Sequence, residues 1–324
     1  MDRRKFVTLI PGSLLAAPLA ASAQQTKIYR IGVVLQGGPY YQMVEGLRDG
    51  LKELGFIEGT QYVLHVRDTK GDLKMAEEAA RNLEQEKVDL IFAMASSVSR
   101  VAKRATEKVP IVFFAGEDPV ESELVKSFAR PGGRVTGITS LSVDLAAKRI
   151  EILKAASPRL RRIVTFYGPN NPVARENAVS ARAAAQQLGL EFDEHEVESV
   201  AELQAGLNRL KAEGSEALLV ISDAMVVSQS QLIVEVAKTK KLPTMFTERS
   251  AVVGGGLASY GVSYYAVGRL GAKYVHRVLL GANPADLPVE RFDRHELVIN
   301  MRTAKWLGLT IPQSLLLRAD DLIQ

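Results

Sequence analysis

Short, wholly apolar runs alternate with amphipathic ones along most of this chain, and that alternation restricts the fold more than any other feature. Residues 29–35 read as a strand. Tyr40, Met43, Val44, Leu47, Leu51 and Leu54 then recur at helical spacing, and Gly55 closes that helix. The pattern repeats as a strand over 61–66, a helix to 86 that Asp72 can cap, and a strand over 88–93. A helix to 106 follows, then a strand over 110–114. Residues 121–129 read as a two-turn helix stopped by Pro131-Gly132-Gly133, with a strand over 135–139 after it. Strands covered on both faces and joined by helices form a parallel sheet with helices on each side.

The series then restarts. Helices are expected over 144–156, 173–188, 200–212 and 228–239, alternating with strands over 162–167, 190–197, 217–221 and 243–246. This predicts an α/β chain of two doubly wound, Rossmann-like lobes. Residues 28–141 plus about 258–288 form lobe 1, and 142–257 plus about 289–324 form lobe 2. The crossing falls near 139–143, and a tail this long after two complete lobes implies further hinge strands. A chain of 324 residues is long enough for two such cores.

The first 23 residues stand apart. Arg3-Arg4-Lys5 precede an apolar run interrupted by Pro11, Gly12 and Pro18, and Ala21-Ser22-Ala23 matches a cleavage site. This predicts a signal peptide cut near Ala23, by the Sec or the twin-arginine route, and a periplasmic mature chain. The net charge of +4 comes partly from that segment, so no basic surface for nucleic acid is implied. There is no cysteine, which excludes disulfides, thiol nucleophiles and thiolate metal sites. His65, His195, His276 and His295 never fall at ligand spacing, and no dinucleotide, phosphate-loop or hydrolase-elbow motif occurs, so neither metal nor cofactor is expected.

In doubly wound sheets, ligands bind outside the carboxyl ends of the strands. That rule selects Gln36, Tyr40, Tyr41, Ser96, Ser97, Gly116 and Asp118 in the first half. In the second it selects Tyr167, Asn170, Asp223, Phe246 and Glu248. Ser96 and Ser97 can offer a helix N-terminus to a carboxylate, or simply cap their own helix. Asp223 can accept an ammonium group, or cap a turn. Tyr40, Tyr41, Tyr167 and Phe246 can supply flat apolar walls, or ordinary packing. Asp118-Pro119 reads as a turn that fixes its loop. Residues 116–119 should line the cleft and 130–133 should lie away from it.

Several segments resemble one family. Gly46-Leu47-Arg48-Asp49-Gly50-Leu51-Lys52-Glu53-Leu54-Gly55-Phe56-Ile57-Glu58-Gly59 is similar to its G-L-x-E-L-G-Y-x-E-G signature. Asp118-Pro119-Val120, residues 129–137, Ser259-Tyr260-Gly261, residues 284–290 and residues 297–305 resemble others, in the right order. Together they resemble the substrate-binding proteins of ABC transporters, in the group that contains tryptophan-binding proteins. The resemblance implies a type I periplasmic binding-protein fold, three interlobe crossings, and in some members an aromatic or other amino-acid ligand. The expected function is a solute receptor, a monomer that performs no covalent chemistry, whose hinge closes around one small molecule, an amino acid or related carboxylate, before it docks on a membrane permease. Two alternatives stay open: a two-lobe enzyme such as a glycosyltransferase, and the ligand-binding partner of a membrane sensor.

Overall fold

The computed structural model describes residues 27–141, 145–211 and 215–324. The expected signal peptide lies outside them. Lobe 1 begins with β1 (Tyr29–Leu35), α1 (Tyr41–Glu53), β2 (Tyr62–Asp68), α2 (Leu73–Gln85), β3 (Leu90–Met94), α3 (Ser96–Ala105), β4 (Ile111–Ala115) and β5 (Val135–Thr139). Lobe 2 takes up α4 (Ala146–Ala156), β6 (Arg162–Tyr167), α5 (Pro172–Gln187), β7 (Glu191–Glu196), α6 (Val200–Arg209) and β8 (Glu216–Leu219). It continues through α7 (Ala224–Ser228), α8 (Ser230–Lys240), β9 (Thr244–Phe246), α9 (Arg249–Val253) and β10 (Ala258–Val262). The chain returns to lobe 1 for α10 (Tyr264–Leu279) and β11 (Glu290–Arg291). It ends in lobe 2 with β12 (His295–Asn300), α11 (Met301–Trp306), α12 (Gln313–Leu316) and β13 (Asp321–Ile323).

Lobe 1 holds a parallel sheet in the order β11-β5-β4-β3-β1-β2. Its middle strands β3 and β4 are buried on both faces, as continuous apolar runs require. Lobe 2 holds the order β13-β12-β10-β9-β8-β6-β7, parallel except for the β10–β12 pair. Its edge strand β7 carries four acidic residues, and a charged edge resists pairing with another chain.

The chain crosses between the lobes three times: between β5 and α4, between β10 and α10, and between β11 and β12. The later crossings depart from the expected boundaries. Residues 258–262 pair with β9 and β12 in the second sheet, so the return to lobe 1 starts at Tyr264 and runs through Arg291. The first expected crossing falls partly on residues outside those described.

The return helix is tied closely to α1. A Cβ on Gly46 would come within 2.0 Å of the Tyr265 carbonyl oxygen, and one on Gly268 within 2.1 Å of that of Met43. Only glycines allow this approach. Tyr265 Oη donates to Asp49 at 2.8 Å, and Arg269 pairs with Glu53.

One expected helix is absent. Residues 121–129 form turns. Asp118 Oδ1 accepts from Val120 N at 2.7 Å and Glu121 N at 3.2 Å, and Glu123 sits at φ 57°. Ser122 and Ser127 spend their hydroxyls on nearby backbone carbonyls. Side chains that satisfy the local backbone this way compete with a helical ladder.

Candidate ligand-binding cleft

The turn from β3 into α3 forms the floor of the interlobe cleft. Ala95, its N-cap residue, holds φ 113° and ψ 152°, a region that costs a non-glycine residue about 1–3 kcal/mol. No side chain caps α3. Ser96 Oγ instead accepts from Gly116 N at 2.9 Å, and Ser97 Oγ accepts from Gln36 Nε2 at 3.5 Å. The two serines are therefore first-turn residues rather than caps. The helix presents its uncapped amides and the positive end of its dipole to a cavity that Ala95, Ser96 and Ser97 line.

The facing wall belongs to lobe 2. Arg149, in the first turns of α4, is 1% exposed. Its Nε donates to the Tyr260 carbonyl oxygen at 2.8 Å, while Nη1 is buried with no partner. No carboxylate among the described residues pairs with it. Burial pulls its pKa down to about 10 from 12.5. Ser140 Oγ and Asn171 Oδ1, on the same cavity, are also buried without partners. Asn171 Nδ2 donates to Asp223 Oδ2 at 3.0 Å, which fixes the amide with its oxygen as a free acceptor.

Aromatic rings close the inner end. Tyr40 stacks on Tyr264 with centroids 5.2 Å apart and planes at 18°, and Phe114 meets Tyr264 edge-on. Burial raises the Tyr264 pKa to about 12, and the Glu248 charge adds to the rise. What stays open is a cavity of about 40 Å³, room for roughly three waters.

Of the residues expected from sequence, Tyr40, Ser96, Ser97 and Gly116 line this cavity. Gln36, Asn170 and Asp223 line an adjoining outer groove. Asp223 is 2% exposed and caps α7 through Val226 N at 3.0 Å. It also accepts from Gly168 N and Asn171. Burial raises its pKa and these hydrogen bonds oppose the rise. Its oxygens are thus engaged, and it reaches the cavity through Asn171.

The remaining five lie elsewhere. Tyr41 is 41% exposed and donates to Asp68 at 3.0 Å. Asp118 caps its own turn, so of residues 116–119 only Gly116 lines the cavity. Tyr167 is buried in lobe 2 and donates to Glu194 at 3.2 Å. Phe246 is in the core. Glu248 caps α9, accepting from Ser250 N at 2.6 Å and Ala251 N at 3.0 Å. Arg149 and Tyr264 were not foreseen. One signal did point to Arg149: with Ala146, Ile150 and Leu153 it falls on the buried stripe of α4, where a lone arginine is anomalous.

Among the described residues no group of side chains is arranged to hold a metal ion, and no helix is long and apolar enough to cross a membrane. Two α/β lobes joined by three crossings, with a polar cavity between them, define a type I periplasmic binding protein. Residues 30–323 match the family described as ABC transporter substrate binding protein, and the chain belongs to that family. Its members bind substrates and are not enzymes.

A tyrosine-binding protein of Clostridioides difficile strain R20291 is 28% identical over 266 residues, spanning 82% of this chain and 76% of that protein. An ABC domain from Streptococcus pneumonia in complex with L-Trp is 28% identical, with a TM-score of 0.81 over 92% of this chain and all of that one. A conserved domain protein from Vibrio cholerae O1 biovar El Tor is 30% identical, with a TM-score of 0.80 over 91% of this chain and all of that one. The ligand-free, open structure of a substrate-binding protein from Clostridium difficile reaches 0.60, at 25% identity and the same 92% coverage. Identity and coverage differ little between the tryptophan complex and the open structure. The arrangement seen here is the nearer to the ligand-bound one.

Proposed function

We propose that this chain is an exported receptor that captures a small carboxylate, an amino acid or a close relative of one, and delivers it to an ABC transporter permease. The observation that carries the reading is Arg149, a buried cation with an unused donor in the cleft. Its charge and the amides of α3 are complementary to one carboxylate held between them. One anion then binds both lobes at once, so its contacts exist in full only in the closed form. Asn171 Oδ1 and Ser140 Oγ supply acceptors for an ammonium group.

Closing on nothing is unfavourable. Holding Arg149 charged at a pKa of about 10 costs the closed, empty form ~3 kcal/mol near neutral pH, a cost the ligand's anion offsets. Opening rehydrates the guanidinium. The apolar run preceded by Arg3, Arg4 and Lys5 supports export to the periplasm, and the family supports a permease as the recipient. The tyrosine-binding and L-Trp-bound relatives, with the rings of Tyr40, Phe114 and Tyr264, put aromatic amino acids first among ligands to try.

Titration calorimetry of the purified chain against the amino acids and simple organic acids tests this. One of them should bind at one site per chain and raise the melting temperature. Absence of binding across the panel, or turnover of a bound compound, would sink the reading.

A further inference from the structure

The carboxylate seat adjoins a larger space. Ser97 and Asn171 line both the inner cavity of about 40 Å³ and an outer groove of about 690 Å³ between the lobes. The inner end is blocked by the buried Tyr40–Tyr264 stack, whose hydroxyls interact with each other. A molecule with its carboxylate on Arg149 and α3 therefore has its open path outward. That path is part apolar, with Val197, Val200 and Met225 from lobe 2, and part polar.

Gln36 makes the polar part informative. It follows β1 directly, is 1% exposed, and lines the groove. Its Nε2 reaches Ser97, while its Oε1 is buried with no partner. Asn171 Oδ1, at the junction of the two spaces, is an unpartnered acceptor as well. Two buried acceptors in succession call for two donors on the ligand, because a buried acceptor left empty forfeits the hydrogen bond it makes in water. A lone ammonium at the junction serves Asn171 and stops short of the groove beyond it.

Resting on the carboxylate reading above, we infer that the preferred ligand is longer than a free amino acid: a carboxylate extended on its amino side through an amide, such as a dipeptide or an N-acyl amino acid. The amide N–H meets Asn171 Oδ1, a further donor meets Gln36 Oε1, and the apolar remainder lies against Val197, Val200 and Met225.

The test compares three series on the purified chain by titration calorimetry: the free amino acids, their N-acetyl derivatives and the corresponding alanyl dipeptides with the amino acid at the carboxyl end. At least one extended compound should bind about tenfold tighter than its parent, the size of one good hydrogen bond plus groove burial. Gln36→Met, which keeps the side chain's volume, and Met225→Trp, which fills the groove from the other lobe, should each draw the ratio of extended to parent affinity towards one. Parents that bind as tightly as every extended compound would overturn the inference and leave the carboxylate reading standing. So would a ratio that neither variant moves. If no series binds at all, both fall together.

Discussion

Lobe 1 meets the cleft with backbone amides at the start of α3, whereas lobe 2 meets it with the full charge of Arg149. The first is inexpensive. Amides at a helix N-terminus are fixed by the fold, tolerate water when the cleft is open, and carry only part of a charge. The second is costly whenever the cleft is shut and empty. The difference teaches that the two walls do different work. On the function proposed above, the amides make a seat that exists before a ligand arrives, and the guanidinium makes closure conditional on an anion. A cleft lined by amides alone would close empty more readily, and one lined by guanidinium groups alone would resist closing.

The largest expected effect comes from removing the costly wall. Arg149→Met should weaken binding of any carboxylate at least ~30-fold, since truncating one partner of a buried charge pair costs about 2–5 kcal/mol. The same variant should raise the fraction of closed molecules in the ligand-free chain, because closure then buries no charge. Calorimetry reads the first effect and small-angle scattering the second. A variant that binds normally would erase the distinction between the lobes.

Asp223→Ala comes next. It removes the cap of α7 and the anchor of the Asn171 amide, and should cost about 1–2 kcal/mol in urea unfolding, with a smaller loss of affinity. On the other wall, Ala95→Gly relieves a strained backbone and should stabilise the chain by roughly 1 kcal/mol while keeping the ligand. Loss of stability there would mean that the turn is not strained.

A weaker effect follows from His295, at the third crossing. Burial, then the charge of Arg149, hold its pKa below the ordinary 6.5; Arg291 reinforces this, Asp293 opposes it, and the Tyr260 ring lies 5.9 Å away. A base whose folded pKa is depressed takes up protons more readily when unfolded. Its contribution to stability is therefore complete above 6.5 and declines as the pH falls below that value. Urea midpoints measured from about pH 7.5 to about pH 5 should decline, and His295→Gln should flatten that limb. Smallest of all, Tyr41→Phe and Tyr167→Phe should leave affinity within about twofold, as both hydroxyls bond carboxylates away from the cavity.

The architecture was legible because its strands are buried on both faces and so read as unbroken apolar runs, as in Leu90–Met94 and Ile111–Ala115. Asp72 capping α2 was legible for an equally local reason: its carboxylate accepts from Lys74 N at 2.7 Å. The site was half legible. The rule that ligands bind beyond the carboxyl ends of strands found Tyr40, Ser96, Ser97 and Gly116. It names an end of the sheet but not a face. Side chains alternate along a strand, so Phe246 enters the core while its neighbour Thr247 lines the cavity. Arg149 lay beyond the rule because it comes from a helix that follows a crossing rather than from a strand's end. Residues 121–129 misled because room for two turns of helix before Pro131 counted for less than the turn chemistry of Asp118, Ser122 and Ser127.

The tie between α1 and α10 has a consequence for how the molecule is made. The two helices begin at residues 41 and 264, so most of the chain separates partners that share backbone contact. At roughly 5–20 residues per second, α1 waits on the order of 10–40 seconds on the ribosome for the helix that covers it. Lobe 2 waits too, since β12 and β13 come last. Lobe 1 is complete only at residue 291 and lobe 2 only at residue 323, so a chain released before residue 264 completes neither.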